Sequence, residues 1–314
     1  MEPFFSQVLR CPVHPDAGPL LVQGPGPEAG LRCRHCDHVY PVLDDIADML
    51  TGDTADDYRE REREQWDRQA AHYDEGRLKD PIYMAAVESA ARALRPRAGE
   101  LILDAGCGTG LTVRQYYRPG TRVVALDLSL ESLRYLRSVC PGAAIYPVRG
   151  DLTALPFPAE VFDRVLCANA LQQFPDAAAR RQCVRELARV AAAGAPVVVT
   201  VQNLSIPKKR AGWRKENTAW GPSGAVQYTY RYEAEEFRDL LATELRVEKV
   251  RGAGLPLWYK WKLAGVSRGL ERHVLSGLAL SARWGNMLVG QARKAVGGPV
   301  PAEAELPRRA LRPR

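Results

Sequence analysis

The chain has 314 residues, 26% of them charged, with 44 Lys and Arg against 37 Asp and Glu, a net charge of +7. That length holds one full α/β domain and a smaller one, and the composition is that of an ordinary globular chain, not a fibrous or disordered one. No run of about 18 uncharged apolar residues occurs and no basic-then-apolar leader opens the chain, so neither a transmembrane helix nor a secretion signal is expected.

A cytoplasmic, reducing setting follows as the expectation, and there clustered cysteines favour metal over disulfides. The charge is uneven. Residues 1–100 carry 12 basic and 19 acidic side chains, a net of −7, whereas residues 201–314 carry 21 and 10, a net of +11. A basic C-terminal third suits RNA, an anionic lipid surface or an acidic substrate, although a solvated arginine-rich surface has the same composition.

Residues 1–52 read as a small metal-bound unit. Cys11-Pro-Val-His14 and Cys33-Arg-His-Cys36 each place two residues between ligands, and 18 residues separate the pairs. This spacing is that of a ribbon in which two knuckles grip one zinc ion. Gly24-Pro25-Gly26-Pro27 reads as the turn between the halves. His14 stands where cysteine is commoner, and His35 and His38 are alternatives to it as the fourth ligand. Val39-Tyr40-Pro41-Val42, an acidic turn at Asp44-Asp45 and an apolar end follow. With the cysteine pairs, these residues resemble the zinc-ribbon activator domain of tRNA and protein methyltransferases. The resemblance implies a structural zinc held by four protein ligands.

Residues 53–99 read as the entry helices. Asp53 to Ala71 is dense in both charges and suits a solvent-facing helix. Ala70-Ala-His72-Tyr73-Asp74 resembles the segment ahead of the core in many small-molecule methyltransferases, which implies Tyr73 at the cofactor site and makes it a weak catalytic candidate as well. His72 is a weak candidate base, imidazole being a common general base. Pro81 opens a helix with one apolar stripe, ended by Pro96 and Gly99.

Leu101-Ile-Leu-Asp104 reads as a buried strand ending in an acid. Gly106, Gly108 and Gly110 follow at alternate positions, a tight turn free of side chains that a ligand can approach closely. The residues from Leu111 to Tyr116 can open a helix whose amides face that ligand. The spacing is not that of dinucleotide folds, Gly-x-Gly-x-x-Gly. The stretch Asp104-x-Gly-x-Gly-x-Gly110 resembles the first motif of the Rossmann-like, class I (type 11) S-adenosylmethionine-dependent methyltransferases. The resemblance implies that the loop packs on the methionine part of S-adenosyl-L-methionine and that Asp104 orients its amino-acid end.

Strands and helices then alternate through residue 203, so a doubly wound α/β parallel sheet is expected, seven-stranded by the resemblance. Asp127 ends the second strand, where an acid can accept both ribose hydroxyls, and Leu128 packs near the adenine. Gly150-Asp151-Leu152 to Leu155-Pro-Phe157 is similar to the family segment in which Asp151 accepts from the adenine amino group and the Leu152 amide binds a ring nitrogen. Asn169 follows the fourth strand, and the resemblance implies a place beside the methionine part. Gln172 and Gln173 stand where related small-molecule enzymes have histidines. Gln172 is a weak catalytic candidate, because an amide is no base near pH 7.

Beyond residue 204, Lys208 to Arg214, Trp213, Trp220 and Tyr228, Tyr230 and Tyr232 interleave cations with aromatics, suiting nucleic acid or a lid over a small molecule. Residues 245–250 and 286–292 alternate as strands. Residues 255–283 read as a helical cap, with contact to a membrane surface as the alternative, and residues 298–314 as a disordered tail. The chain therefore reads as a ribbon (1–52), entry helices (53–99) and a cofactor-binding domain (100–297). The expected reaction is methyl transfer to a hydroxyl or amine of a small molecule, such as a secondary metabolite or lipid-like compound. The rivals are an rRNA or tRNA base methyltransferase and a non-catalytic scaffold that keeps the cofactor fold.

Overall fold

The computed structural model describes residues 3–24, 30–51, 57–220, 226–254 and 281–296. The expected turn at Gly24–Pro27, all but its first residue, the expected cap up to residue 280 and the expected tail lie outside the described residues. The ribbon end starts with α1 (Pro3–Val8) and runs through β1 (Leu21–Gln23), β2 (Gly30–Arg32), β3 (Val39–Leu43) and β4 (Ile46–Asp48), each strand antiparallel to the next. Asp44 and Asp45 form the two-residue turn between β3 and β4 with φ of 52° and 55°. Aspartate tolerates this conformation, and such a turn matches the twist of a hairpin. Phe5, Leu9, Leu31 and Tyr40 are fully buried beneath these strands.

Helices α2 (Asp57–Gln69), α3 (Tyr73–Lys79) and α4 (Pro81–Leu94) follow. Pro81 opens α4, and Asp80 caps it by accepting from the amides of Ile82 and Tyr83. The alternating part comprises β5 (Leu101–Ala105), α5 (Val113–Tyr116), β6 (Arg122–Asp127), α6 (Leu130–Val139), β7 (Ile145–Arg149), β8 (Arg164–Ala168), α7 (Ala177–Val190) and β9 (Pro196–Gln202). Then come α8 (Ile206–Arg210), the hairpin of β10 (Glu216–Trp220) and β11 (Val226–Tyr230), α9 (Ala234–Ala242), β12 (Leu245–Ala253), α10 (Ser281–Trp284) and β13 (Met287–Lys294).

Among the described residues one sheet runs β1-β2-β3-β4-β7-β6-β5-β8-β9-β13-β12. Its seven strands from β7 to β12 form the expected doubly wound sheet. β5 lies inside it between β6 and β8 with all five residues buried, and β13 runs antiparallel to both β9 and β12. The chain leaves β5 for β6 on one side and later returns to place β8 on the other. The carboxyl end of β5 is thus the switch point where open α/β sheets bind ligands.

Two features depart from the linear reading. The helix expected after Gly110 is a single turn, α5, ended by extended backbone at Tyr117 with ψ 135°. So short a helix adds little dipole to the glycine turn. The ribbon is also not a separate appendage. β4 pairs parallel with β7, Ala47 opposite Val148 and Asp48 opposite Arg149, and Phe4 stacks on Tyr146 with ring centres 4.0 Å apart. Among the described residues no helix is long and apolar enough to cross a membrane.

Candidate functional site

The turn after β5 faces a cleft enclosing about 1080 Å³ of empty space, part of it open to solvent. Gly108 borders it with φ +52°, and a Cβ built there meets nothing within 4 Å. A side chain at this position would project into open space where the backbone now lies bare. Gly106 also lines the cleft. Gly110 does not; it packs under α6 against Leu136, where a Cβ would overlap Leu136 Cδ1 at 2.2 Å.

Asp127, at the end of β6, lines the cleft. Its Oδ2 accepts from the Gly108 amide at 2.7 Å and its Oδ1 from the Ser129 amide at 2.9 Å. Each oxygen keeps a further lone pair, so the carboxylate can still accept two hydroxyls. Burial raises its pKa, against the pull of those two amides. Ser129, not Asp127, caps α6, accepting from the Ser132 amide.

Asp151 and Leu152 line the same cleft past β7. Asp151 is not a free carboxylate. Its Oδ1 accepts from the amide and hydroxyl of Thr153, and its Oδ2 meets Arg59 of α2 at 2.6 Å. Leu128, Tyr73 and Asn169 complete the expected residues that reach the cleft. Asn169 has φ +61° and accepts from the Thr200 hydroxyl at 3.3 Å.

Asp104 lies beneath the floor, inside β5 and not at its tip. It is fully buried, its Oδ2 accepts from the Tyr116 hydroxyl at 3.1 Å, and its Oδ1 has no hydrogen-bond partner. Burial pushes its pKa up to about 7; the Tyr116 hydroxyl opposes this and the nearby Asp127 charge adds to it.

Of the three weak catalytic candidates, Tyr73 lines the cleft and the other two fall elsewhere. His72 is exposed and meets Glu75 at 3.4 Å, outside the cleft lining. Gln172 is buried, and its side-chain oxygen accepts from the Gln202 amide at 2.5 Å, which commits it to joining β9 to the segment after β8.

The linear reading missed a second set of residues, those brought in by α2, α3 and α4. Arg59, Glu62, Trp66 and Tyr83 line the cleft with Tyr73. The Tyr73 and Tyr83 hydroxyls are 3.2 Å apart, and the Arg77 guanidinium lies 5.3 and 4.6 Å from the two ring centres. Burial carries the Tyr83 hydroxyl well above its usual range. Asp74, beside Tyr73, is 3% exposed. It accepts from the Thr109 hydroxyl at 2.6 Å and pairs with Arg114, so it ties α3 to the glycine turn. The Tyr-Asp pair was the available signal for this clamp.

In the ribbon, the ligand atoms of Cys11, His14, Cys33 and Cys36 all lie within 4.8 Å of one another. Tetrahedral zinc bonds of about 2.0–2.3 Å put neighbouring ligands roughly 3.5–3.8 Å apart, and the Cys11 sulfur stands 3.7 Å from His14 Nδ1. The Tyr40 hydroxyl lies 3.1 Å from the Cys11 sulfur, and the His35 amide donates to the Cys33 sulfur at 3.4 Å. Such outer contacts orient ligands. His35 packs its ring on His14, and His38 packs on Tyr40.

Residues 103–199 match the family described as "Methyltransferase domain". The chain is 35% identical over 136 residues to malonyl-[acyl-carrier protein] O-methyltransferase of Salmonella typhimurium, covering 41% of this chain and 52% of the relative. It is 32% identical over 115 residues to demethylmenaquinone methyltransferase of Thermobifida fusca, covering 36% and 48%. The chain thus spans about half the length of the curated relatives it matches. Among solved structures, a chain of the complex between the Haloferax volcanii Trm112 methyltransferase activator and a putative methyltransferase superposes with TM-score 0.51 at 18% identity, covering 73% of this chain and 97% of that one. N-methyltransferase NodS of Bradyrhizobium japonicum, in complex with S-adenosyl-L-homocysteine, superposes at 0.50 and 17%, covering 74% and 97%. The fold is the α/β methyltransferase fold.

Proposed function

We propose that the chain is an S-adenosylmethionine-dependent methyltransferase acting on a hydroxyl or amine of a small molecule, with a structural zinc in its ribbon. The observation that carries this reading is the convergence of the bare Gly108 backbone, Asp127 and Asp151 on one cleft at the switch point of the sheet. In this reading Asp127 holds the ribose through its two remaining lone pairs, and Leu128 packs beside the adenine. Asp151 and the Leu152 amide read the adenine edge, with Arg59 holding Asp151 in place. Gly106 and Gly108 admit the methionine part, and Asp104 sets the polarity of the floor below it. Tyr73 and Asn169 close the cleft near the reacting end.

The sulfonium of the cofactor supplies an activated methyl group. What remains for the chain is to align the acceptor and exclude water. The Tyr73–Tyr83 hydroxyl pair suits the first task, because each oxygen both donates and accepts and can fix a hydroxyl or amine. Trp66 and Phe174 in the same lining suit the second. Cys11, His14, Cys33 and Cys36 would hold the zinc, all four positions being filled by protein, which is the pattern of a structural site. The named methyltransferase relatives and the neighbour with bound S-adenosyl-L-homocysteine support the cofactor.

The test is transfer of label from methyl-labelled S-adenosylmethionine into a cell extract, with and without nuclease. Label in small molecules that survives nuclease is expected. Label lost with nuclease would overturn the small-molecule acceptor in favour of RNA, and cofactor binding without any transfer would support a scaffold.

A further inference from the structure

Near the end of β9 a half-buried lysine, Lys208, and a buried arginine, Arg231, lie against one indole, and among the described residues neither has an ion-pair partner. Lys208 of α8 donates from Nζ to the main-chain oxygens of Asn203 at 2.9 Å and Asn286 at 3.0 Å, leaving its third hydrogen uncommitted. Its ammonium lies 5.3 Å from the ring centre of Trp213, and the Arg231 guanidinium lies 4.5 Å from the same ring. Arg231 is only 7% exposed. Its Nη1 donates to the Arg214 carbonyl, and its Nε is buried with no partner.

The nearby acids are engaged elsewhere. Glu233 pairs with Lys209, and Glu236 with Lys215 and the Tyr230 hydroxyl. Burial, and then the charge of Arg231, push the Lys208 ammonium down to about 7. Arg231 is lowered by burial. Like charges gathered at one indole and partly or wholly withdrawn from water are costly unless an anion joins them. Trp213, 47% exposed, leaves the cluster open to solvent on one side.

We propose that Lys208, Arg231 and Trp213 form a binding site for a phosphate-type oxyanion, carried by the methyl acceptor or supplied as the free ion. Lys208 offers its third N–H, Arg231 the rest of its planar fork, and the indole a flat apolar wall. The chemistry fits a tetrahedral dianion better than a carboxylate, since a point cation and a fork together match three oxygens. The site lies on the carboxyl edge of the sheet. Asn203 follows β9 directly, and the neighbouring strand β8 ends at Ala168, next to Asn169 of the cleft. An acceptor-borne phosphate there rests on the methyltransferase reading; the anion site itself does not.

The test titrates the full chain with sodium phosphate against sodium chloride at matched ionic strength and follows thermal unfolding. Phosphate is expected to raise the midpoint saturably, by about 2–4 °C. In Lys208→Gln, which keeps a donor for the two carbonyls, the phosphate response should vanish. Its midpoint in chloride alone should equal or exceed that of the wild type. Arg231→Gln should lose the response too, and broadening of the inorganic phosphate resonance in phosphorus NMR reads binding with no substitution. No saturable response in the wild type, or one unchanged in both variants, would overturn the site. Phosphatase treatment of the extract in the labelling assay separates the sources. Lower labelling assigns the oxyanion to the acceptor, and unchanged labelling with intact phosphate binding assigns it to the free ion. Binding of S-adenosyl-L-homocysteine to the same samples reports the methyltransferase reading independently.

Discussion

Asp104 is an acid in a place that disfavours its charge. The unfolded chain ionises it near 3.8, while the folded chain holds its proton up to about 7. Between these values the unfolded state binds fewer protons than the folded one, so this group's contribution to stability falls as pH rises from about 4 to 7 and levels off above. Asp104→Asn keeps the acceptor for the Tyr116 hydroxyl and removes the titration. Denaturant unfolding at pH 5 and pH 8 should show the variant gaining on the wild type at the higher pH by on the order of 1–4 kcal/mol. Equal pH dependence in the two proteins would mean that Asp104 titrates normally. The acid itself was legible at the end of an apolar run. Its burial was not, because the sequence places it at a strand tip while the structure sets it one residue inside β5.

At the scale of elements, the cleft has two walls, one legible throughout and the other only at Tyr73. The strand ends announce themselves by apolar runs closed with Asp127, Gly150-Asp151 and Asn169. The other wall comes from α2, whose charged sequence reads as solvated, and α3, and their contacts are non-local. Arg59 reaches Asp151, Ser129 donates to Asp67, and Asp74 reaches Thr109 and Arg114. Asp74 anchors the helix that begins with Tyr73. In Asp74→Asn the clamp loses its charge-assisted bond to Arg114, of a kind worth about 1.5–3 kcal/mol. The expected result is a roughly tenfold or greater rise in the dissociation constant for S-adenosyl-L-homocysteine by calorimetry, with the far-ultraviolet circular dichroism unchanged. An unchanged constant would show that α3 needs no tie to the glycine turn.

For the whole molecule, the ribbon and the cofactor domain share one sheet. The cysteine spacing made the Cys/His cluster legible, but the pairing of residues 47–48 with 148–149 has no local signature, because parallel strands join across long sequence separations. The junction is reinforced where Arg149 meets Asp48 at 2.8 Å and donates from Nε to the Leu128 carbonyl at 3.1 Å, next to Asp127. Removing zinc with a chelator is therefore expected to lower the unfolding midpoint of the whole chain and to weaken cofactor binding, not merely to loosen residues 11–36. A midpoint and affinity indifferent to chelation would mean that the ribbon stands without metal. The account depends most on the cleft over the glycine turn being a cofactor site, and calorimetric titration with S-adenosyl-L-homocysteine tests that directly. One equivalent should bind the wild type. Asp127→Asn, which replaces one ribose-accepting oxygen by a donor, should bind roughly 10–100-fold more weakly. No binding to the wild type, or equal binding to both, would contradict it.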